Sequence, residues 1–189
     1  FLLMSTWKKG RRLLTERTSG EAIDLKSFIS ALLVSMPTRV PGTSVFMTSR
    51  NDRVPNAMLH NLMHNKVLHE RVLIVSVKVF DVPYVPEIDR VEVHRLKGDF
   101  YRVNVQYGFK DEPDIPAALA LCEQQGLPID MMETSFFLGR ATLVPKRGSE
   151  MVFWREKLFV FMFRNASSAT SFYKIPSNRV VELGTQVVL

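Results

Sequence analysis

Six residues, Val72-Leu73-Ile74-Val75-Ser76-Val77, constrain this chain more than any others. The run has strand length and is β-branched or aliphatic at odd and even positions alike. Successive side chains of a strand point to opposite faces, so a strand apolar on both sides must be covered on both sides. The remaining residues therefore have to supply neighbouring strands in the plane of the sheet and apolar layers above and below it.

Helical spacing supplies the layers. From Asp24, a cap residue, Leu25, Phe28, Ile29, Leu32 and Leu33 fall at i, i+3, i+4, i+7 and i+8, and Met36-Pro37 ends that helix. Val54-Pro55-Asn56 opens a second helix that runs to about Lys66, with Met58, Leu59, Leu62 and Met63 on its apolar side. A third is predicted over Asp114 to Gln125, with Pro116 in its first turn and Gly126 as its stop. A fourth is predicted over Met151 to Asn165. Strands are expected at Thr43–Thr48, after a Pro41-Gly42 turn, at Thr134–Leu138, and at Arg179–Leu189, the last broken by Gly184. Around Lys97-Gly98-Asp99, Val91 and Val93 on one side and Tyr101, Val103, Val105 and Tyr107 on the other alternate with polar residues, which predicts an antiparallel hairpin. The order helix, strand, helix, three strands, helix, strand, helix, strand defines an α/β fold: a mixed β-sheet that includes an antiparallel hairpin and is covered by helices. With 189 residues, 46% of them hydrophobic, the chain has the size and apolar share of one globular domain, and the Pro-containing stretch from Asp81 to Asp89 is a loop inside it.

The formal charge of +6 is concentrated at the front. Residues 1 to 17 carry Lys8, Lys9, Arg11, Arg12 and Arg17 against Glu16, and the rest of the chain is nearly balanced, with 20 basic and 18 acidic residues. A nucleic-acid footprint runs along a face of the folded body, so no nucleic-acid partner is expected. The opening residues Phe1-Leu2-Leu3-Met4-Ser5-Thr6-Trp7 are apolar and are followed by Lys8-Lys9-Gly10-Arg11-Arg12, the reverse of a secretory signal. Two readings fit: the cytoplasmic exit of a transmembrane helix, with an interfacial Trp and a basic cluster, or an amphipathic N-terminal helix. The single cysteine, Cys122, forms no intramolecular disulfide and suits a packing role in a reducing compartment.

Chemistry-bearing patterns are sparse. His60 and His64 share a helical face at i, i+4 and His69 follows, yet no acidic residue follows His60 as a zinc protease requires, and a surface role is the expectation. No nucleophile elbow, glycine-rich phosphate loop or acid–base constellation is present, so no catalytic, cofactor-binding or metal residue is assigned, no cofactor is expected, and the chain reads as no enzyme. Thr48-Ser49-Arg50-Asn51, between the first strand and its helix, is a candidate ligand loop whose hydroxyls and guanidinium suit a phosphate, against the simpler reading of a polar connection. The Met151 helix is apolar around most of its circumference apart from Arg155-Glu156-Lys157. It is either a core helix or one that meets another surface through Phe153, Trp154 and Phe161.

Ordered blocks along the chain carry a family resemblance. They are Thr38-Arg39-Val40-Pro41-Gly42-Thr43-Ser44-Val45-Phe46; Leu59-His60-Asn61-Leu62 with His64-Asn65-Lys66-Val67-Leu68-His69-Glu70-Arg71; Tyr107-Gly108-Phe109; Thr134-Ser135-Phe136-Phe137-Leu138-Gly139-Arg140; and Ile175-Pro176 with Asn178-Arg179-Val180-Val181-Glu182-Leu183-Gly184-Thr185-Gln186. Over nearly its whole length the chain resembles the C-terminal part of the Kup (KUP/HAK/KT) potassium transporters. That resemblance implies that residues 1–14 are the end of the last transmembrane helix and a basic juxtamembrane segment, with Trp7, Lys8, Lys9, Arg11 and Arg12 at the membrane interface. It implies a cytosolic C-terminal domain over residues 15–189, on the cytoplasmic side of the plasma (inner) membrane. The parent protein would take up potassium, by proton-coupled symport in bacteria, through ion-binding helices outside this chain. The implied partners are the domain's own transmembrane part, the membrane surface and a second copy in a homodimer. The implied role is regulation and assembly, the alternative being a nucleotide sensor of the cyclic di-AMP type.

Overall fold

A computed structural model describes residues 1–19, 23–35, 37–50, 52–144, 151–166 and 168–188. Its elements are α1 (Leu2–Ser19), α2 (Leu25–Ser35), β1 (Thr38–Thr48), α3 (Asn56–Asn65), β2 (Val67–Phe80), β3 (Val91–Arg95), β4 (Phe100–Gly108), α4 (Ile115–Ala120), β5 (Thr134–Val144), α5 (Phe153–Arg164), α6 (Ala169–Phe172) and β6 (Val180–Val188), joined in places by short 3-10 turns. One six-stranded sheet has the order β3-β4-β2-β1-β5-β6. Strands β4, β2, β1 and β5 are parallel neighbours, while β3 pairs antiparallel with β4, Val93 opposite Val103. The expected fold class, mixed sheet and hairpin are all present.

The apolar run sits where its pattern requires, in β2 between β4 and β1. Val72 and Ile74 join Phe46, Leu68, Phe100 and Phe137 beneath Leu25, Ile29 and Leu32 of α2 and Ala57 and Met58 of α3. Leu73 and Val75 point the other way, to Val45, Val103, Val105, Tyr107 and Phe136 beneath Ile115, Ala118, Leu119 and Cys122. Each face thus receives its own helical layer, because successive residues alternate across the pleat. Phe46 and Phe137, partners in the β1–β5 register, stack with centroids 4.8 Å apart.

Local chemistry sets the boundaries. Asp24 caps α2 by accepting from the Ser27 amide at 2.9 Å and its hydroxyl at 2.8 Å. Asp114 caps α4, its Oδ1 accepting from the Ala117 amide at 2.9 Å, and the Tyr107 hydroxyl donates to the Asp114 carbonyl at 2.7 Å.

Several expectations need correction. Pro41-Gly42 is not a turn that precedes the strand: β1 begins at Thr38 and runs through it as an irregularity in the register with β2, between Val40 and Thr43, and Gly42 takes φ 96°. A Cβ at Gly42 would lie 2.6 Å from the Glu133 carbonyl oxygen, so the close passage and the positive φ both call for glycine. The third helix is α-helical only to Ala120 and tightens into a 3-10 turn over Leu121–Gln125 before Gly126, at φ 80°, stops it. Strand β5 continues past Leu138 to Val144, and β6 is not broken at Gly184. In α3 Met63 is exposed and Asn61 is buried instead. The Asn61 side chain donates to the Val67 carbonyl at 2.9 Å and accepts from Asn65 at 2.8 Å, which ties the helix end to the start of β2.

The loop from Asp81 to Arg90 is held by one carboxylate. Asp111 accepts from the Gly108 amide at 2.7 Å and the Val85 amide at 3.0 Å and pairs with Arg90 at 3.3 Å. These backbone hydrogen bonds, with the Arg90 charge behind them, hold its pKa below the usual carboxylate value. The outer edge of β3 is closed by a side chain. Gln125 Oε1 accepts from the Val93 amide at 3.0 Å and its Nε2 donates to the Val91 carbonyl at 2.6 Å, as a neighbouring strand would.

The chain divides into two compact units. The larger holds Ile23–Gly139 and Ala169–Leu183, and the smaller holds Phe1–Ala22, Arg140–Ser168 and Gly184–Leu189. In the larger unit α2, α3 and α4 cover the sheet as described. The smaller unit has its own core of Leu14, Leu143, Phe159, Val160 and Val187, with Trp7, Ala141 and Phe163 packed against it.

Candidate functional site

The residues with the strongest sequence signal for an interaction lie on α1 and α5 of the smaller unit. Helix α1 has 18 residues, and its buried positions Thr6, Gly10, Leu13 and Leu14 form one stripe at helical spacing. At Gly10 an added Cβ would come within 2.4 Å of the Phe159 ring, so glycine lets α1 approach α5 closely. Trp7 meets Phe159 edge-on at 5.6 Å and Phe163 at 6.4 Å. Arg155 of α5 donates to the Thr6 hydroxyl at 3.0 Å and the Ser5 hydroxyl at 3.1 Å.

The Arg155-Glu156-Lys157 interruption of the apolar helix does not form a solvated face. Only Lys157 is exposed; Arg155 is half-buried and Glu156 fully buried. Hydroxyls contributed by a helix some 150 residues away in the chain make burial of the arginine tolerable, and no local pattern reveals them.

On the sides of α1 and α5 turned away from this core, charge and apolar area stand in solvent. Lys8, Arg11 and Arg12 are exposed and Lys9 is half-buried; Arg12 makes an i, i+4 pair with Glu16 at 3.4 Å. Phe1, Leu2, Leu3 and Met4 are exposed at the start of α1. On α5 Trp154 and Phe161, seven residues apart on one face, are 53% and 66% exposed, and Phe153 is half-buried with the Lys157 ammonium 4.7 Å above its ring. No helix among the described residues is long and apolar enough to cross a membrane.

The other candidate residues are placed as follows. Thr48 ends β1, and its hydroxyl accepts from the Arg50 amide at 3.1 Å and donates to the Arg50 carbonyl at 3.0 Å, so its one donor is used within the turn. Ser49 is exposed, Arg50 is half-buried, and Asn51 lies outside the described residues. His60 and His64 stack with centroids 5.9 Å apart, whereas His69 is half-buried on β2, edge-on to Phe137 at 5.8 Å. Burial lowers the His69 pKa. Among the described residues no three His, Cys, Asp or Glu side chains converge as a metal ion would need. Cys122 is fully buried, and burial pushes its thiol up to about 12.

Sequence reasoning passed over one cluster altogether: Lys26, Ser30, His94, Arg95, Lys97 and Arg102 line a groove of about 530 Å³ between α2 and the hairpin. The alternation of Arg102 with Val103 was legible as a strand pattern, but the signal that α2 brings Lys26 beside it is tertiary.

Comparison with known proteins places the chain. No solved structure matches it. It is 64% identical over its full length to the probable potassium transport system protein Kup 1 of Dechloromonas aromatica strain RCB, and 66% identical to Kup 3 of the same strain. Its identity to the Kup protein of Azoarcus sp. strain BH72 is 62%, again over the full chain. In each case the chain spans 30% of the relative's length. The family model for the K+ potassium transporter C-terminal domain matches residues 41–189, well over half of the chain, and the chain therefore belongs to that family.

Proposed function

We propose that this chain is the cytosolic assembly and regulatory domain of a potassium-uptake permease. The observation that carries the reading is the full-length similarity to proteins named as Kup potassium transport systems, of which it corresponds to the C-terminal part. The parent protein moves potassium across the plasma (inner) membrane by proton-coupled symport, with its ion pathway in helices outside these residues.

Residues 1–14 lead from the membrane, with Trp7, Lys8, Lys9, Arg11 and Arg12 at its cytoplasmic face. Exposed cations beside exposed apolar residues at the start of α1 support this, since that combination suits an anionic headgroup layer. The exposed Trp154 and Phe161, with Phe153, form the surface for the transmembrane part or a second copy. No observation at Thr48, Ser49 or Arg50 favours the nucleotide-sensing alternative.

The test is potassium-limited growth of an uptake-deficient host carrying the full-length parent with and without this domain, with membrane abundance measured in parallel. Rescue that needs the domain at equal abundance supports a working role in transport. Equal rescue without it removes that role, and reduced abundance without it reduces the role to stability.

A further inference from the structure

We propose that the groove between α2 and the β3–β4 hairpin binds a phosphate-type anion, with the Arg102 guanidinium as its principal donor. The inference stands on the groove alone and does not depend on the transport reading.

The groove collects positive charge from separate elements: Lys26 from α2, His94 and Arg95 from β3, Lys97 from the turn and Arg102 from β4, with the Ser30 hydroxyl beside them. Ile29 and Leu96 form an apolar floor, and among the described residues no carboxylate lines the cavity. Two of the cations already have partners, His94 with Glu92 at 2.9 Å and Arg95 with Asp99 at 3.8 Å. Lys97 and Arg102 make no ion pair among the described residues.

Arg102 is the informative one. On β4, Phe100 faces the α2–α3 side of the sheet, and Arg102 is the next residue on that side, opposite Ile74 and His94 in the flanking strands. Its Nε is buried without a hydrogen-bond partner among the described residues. A buried guanidinium donor left unpaired weakens the fold, and an aliphatic residue beside Ile74 would suit this position better. The arginine makes physical sense if a ligand supplies the missing acceptor. Guanidinium matches two phosphate oxygens at once, and Lys97 and Lys26 add point charges around them. The apolar floor suits the organic part of a phosphate ester. Two sources carry that chemistry, a soluble phosphate ester and a phospholipid headgroup.

The test uses the 189-residue chain with two probes: inorganic pyrophosphate by titration calorimetry, and phosphatidylcholine vesicles with and without phosphatidylglycerol by co-sedimentation. Saturable pyrophosphate binding is expected, weakened about ten-fold or more by Arg102→Gln and unchanged by Lys110→Gln, an exposed lysine away from the groove. Unliganded Arg102→Gln should melt at or above the parent temperature, whereas an arginine that only holds the fold would melt lower when replaced. Should that variant fail to fold, the exposed pair Lys26→Gln and Lys97→Gln must weaken binding instead. Displacement of bound anionic vesicles by pyrophosphate identifies a headgroup; pyrophosphate binding without vesicle binding identifies a soluble ester. No saturable pyrophosphate binding, equal binding by folded Arg102→Gln, or equal loss in Lys110→Gln overturns the proposal.

Discussion

Replacing Gln125 by Ala opens the edge of the sheet at a defined place. The side chain makes two hydrogen bonds to the β3 backbone, one from the Val93 amide at 3.0 Å and one to the Val91 carbonyl at 2.6 Å. A net hydrogen bond is worth about 0.5–1.5 kcal/mol, and water can replace the more exposed Val93 bond, so the expected loss is about 1–2 kcal/mol. Gln125→Glu keeps an acceptor for Val93 but sets a carboxylate against the Val91 carbonyl, and should cost at least as much as the alanine. Urea unfolding reads the global loss, and amide hydrogen exchange at Val93 reads the local one. Freed of its amide partner, β3 also presents pairing groups to another copy, so sedimentation velocity should show concentration-dependent association in Gln125→Ala and none in the parent at this edge. Unchanged Val93 protection in Gln125→Ala, with unchanged stability, would refute the view that this one side chain closes the edge.

Other perturbations test other parts of the fold. Gly10→Ala forces a methyl into the Phe159 ring and should destabilise the α1–α5 pair by about 1–3 kcal/mol, read from the fluorescence of Trp7 during urea unfolding. Asp111 has a folded pKa below its ordinary value of 3.8, so its contribution is complete above the unfolded value and lost as pH falls through the folded one. Exchange protection of the Val85 and Gly108 amides should therefore fall in that acid window, and Asp111→Asn should already have lost protection at neutral pH. Cys122, with its thiol raised to about 12, should resist a thiol reagent at pH 8 in the folded chain and react fully in urea; equal rates in both would place it at the surface.

The candidate surface was legible only in part. Exposed Trp154 and Phe161 follow from an α5 too apolar to bury every side. The fate of Arg155 and Glu156 was not legible, because the Ser5 and Thr6 hydroxyls that receive the arginine come from the far end of the chain. The helical spacing that puts Met58, Leu59, Leu62 and Met63 together likewise missed Asn61, whose amide is worth burying only because the Val67 carbonyl lies within reach. Cavity formation failed to register for the same reason: Lys26 and Arg102 are distant in sequence and meet across the α2–hairpin groove.

Alternation and helical spacing are local properties, and they were sufficient for the α/β class, the central position of β2, the antiparallel hairpin, and the Asp24 and Gly126 boundaries. They act within a few residues, through strand pleat, helical pitch and backbone capping. Only the tertiary structure decided which strand stands beside which, that β1 runs through Pro41-Gly42, that Gln125 closes one edge, and that the Arg102 Nε is buried beside a basic groove without a partner among the described residues. Each of these depends on a group brought in from another element, and side-chain partnership across space leaves no periodic trace in the chain.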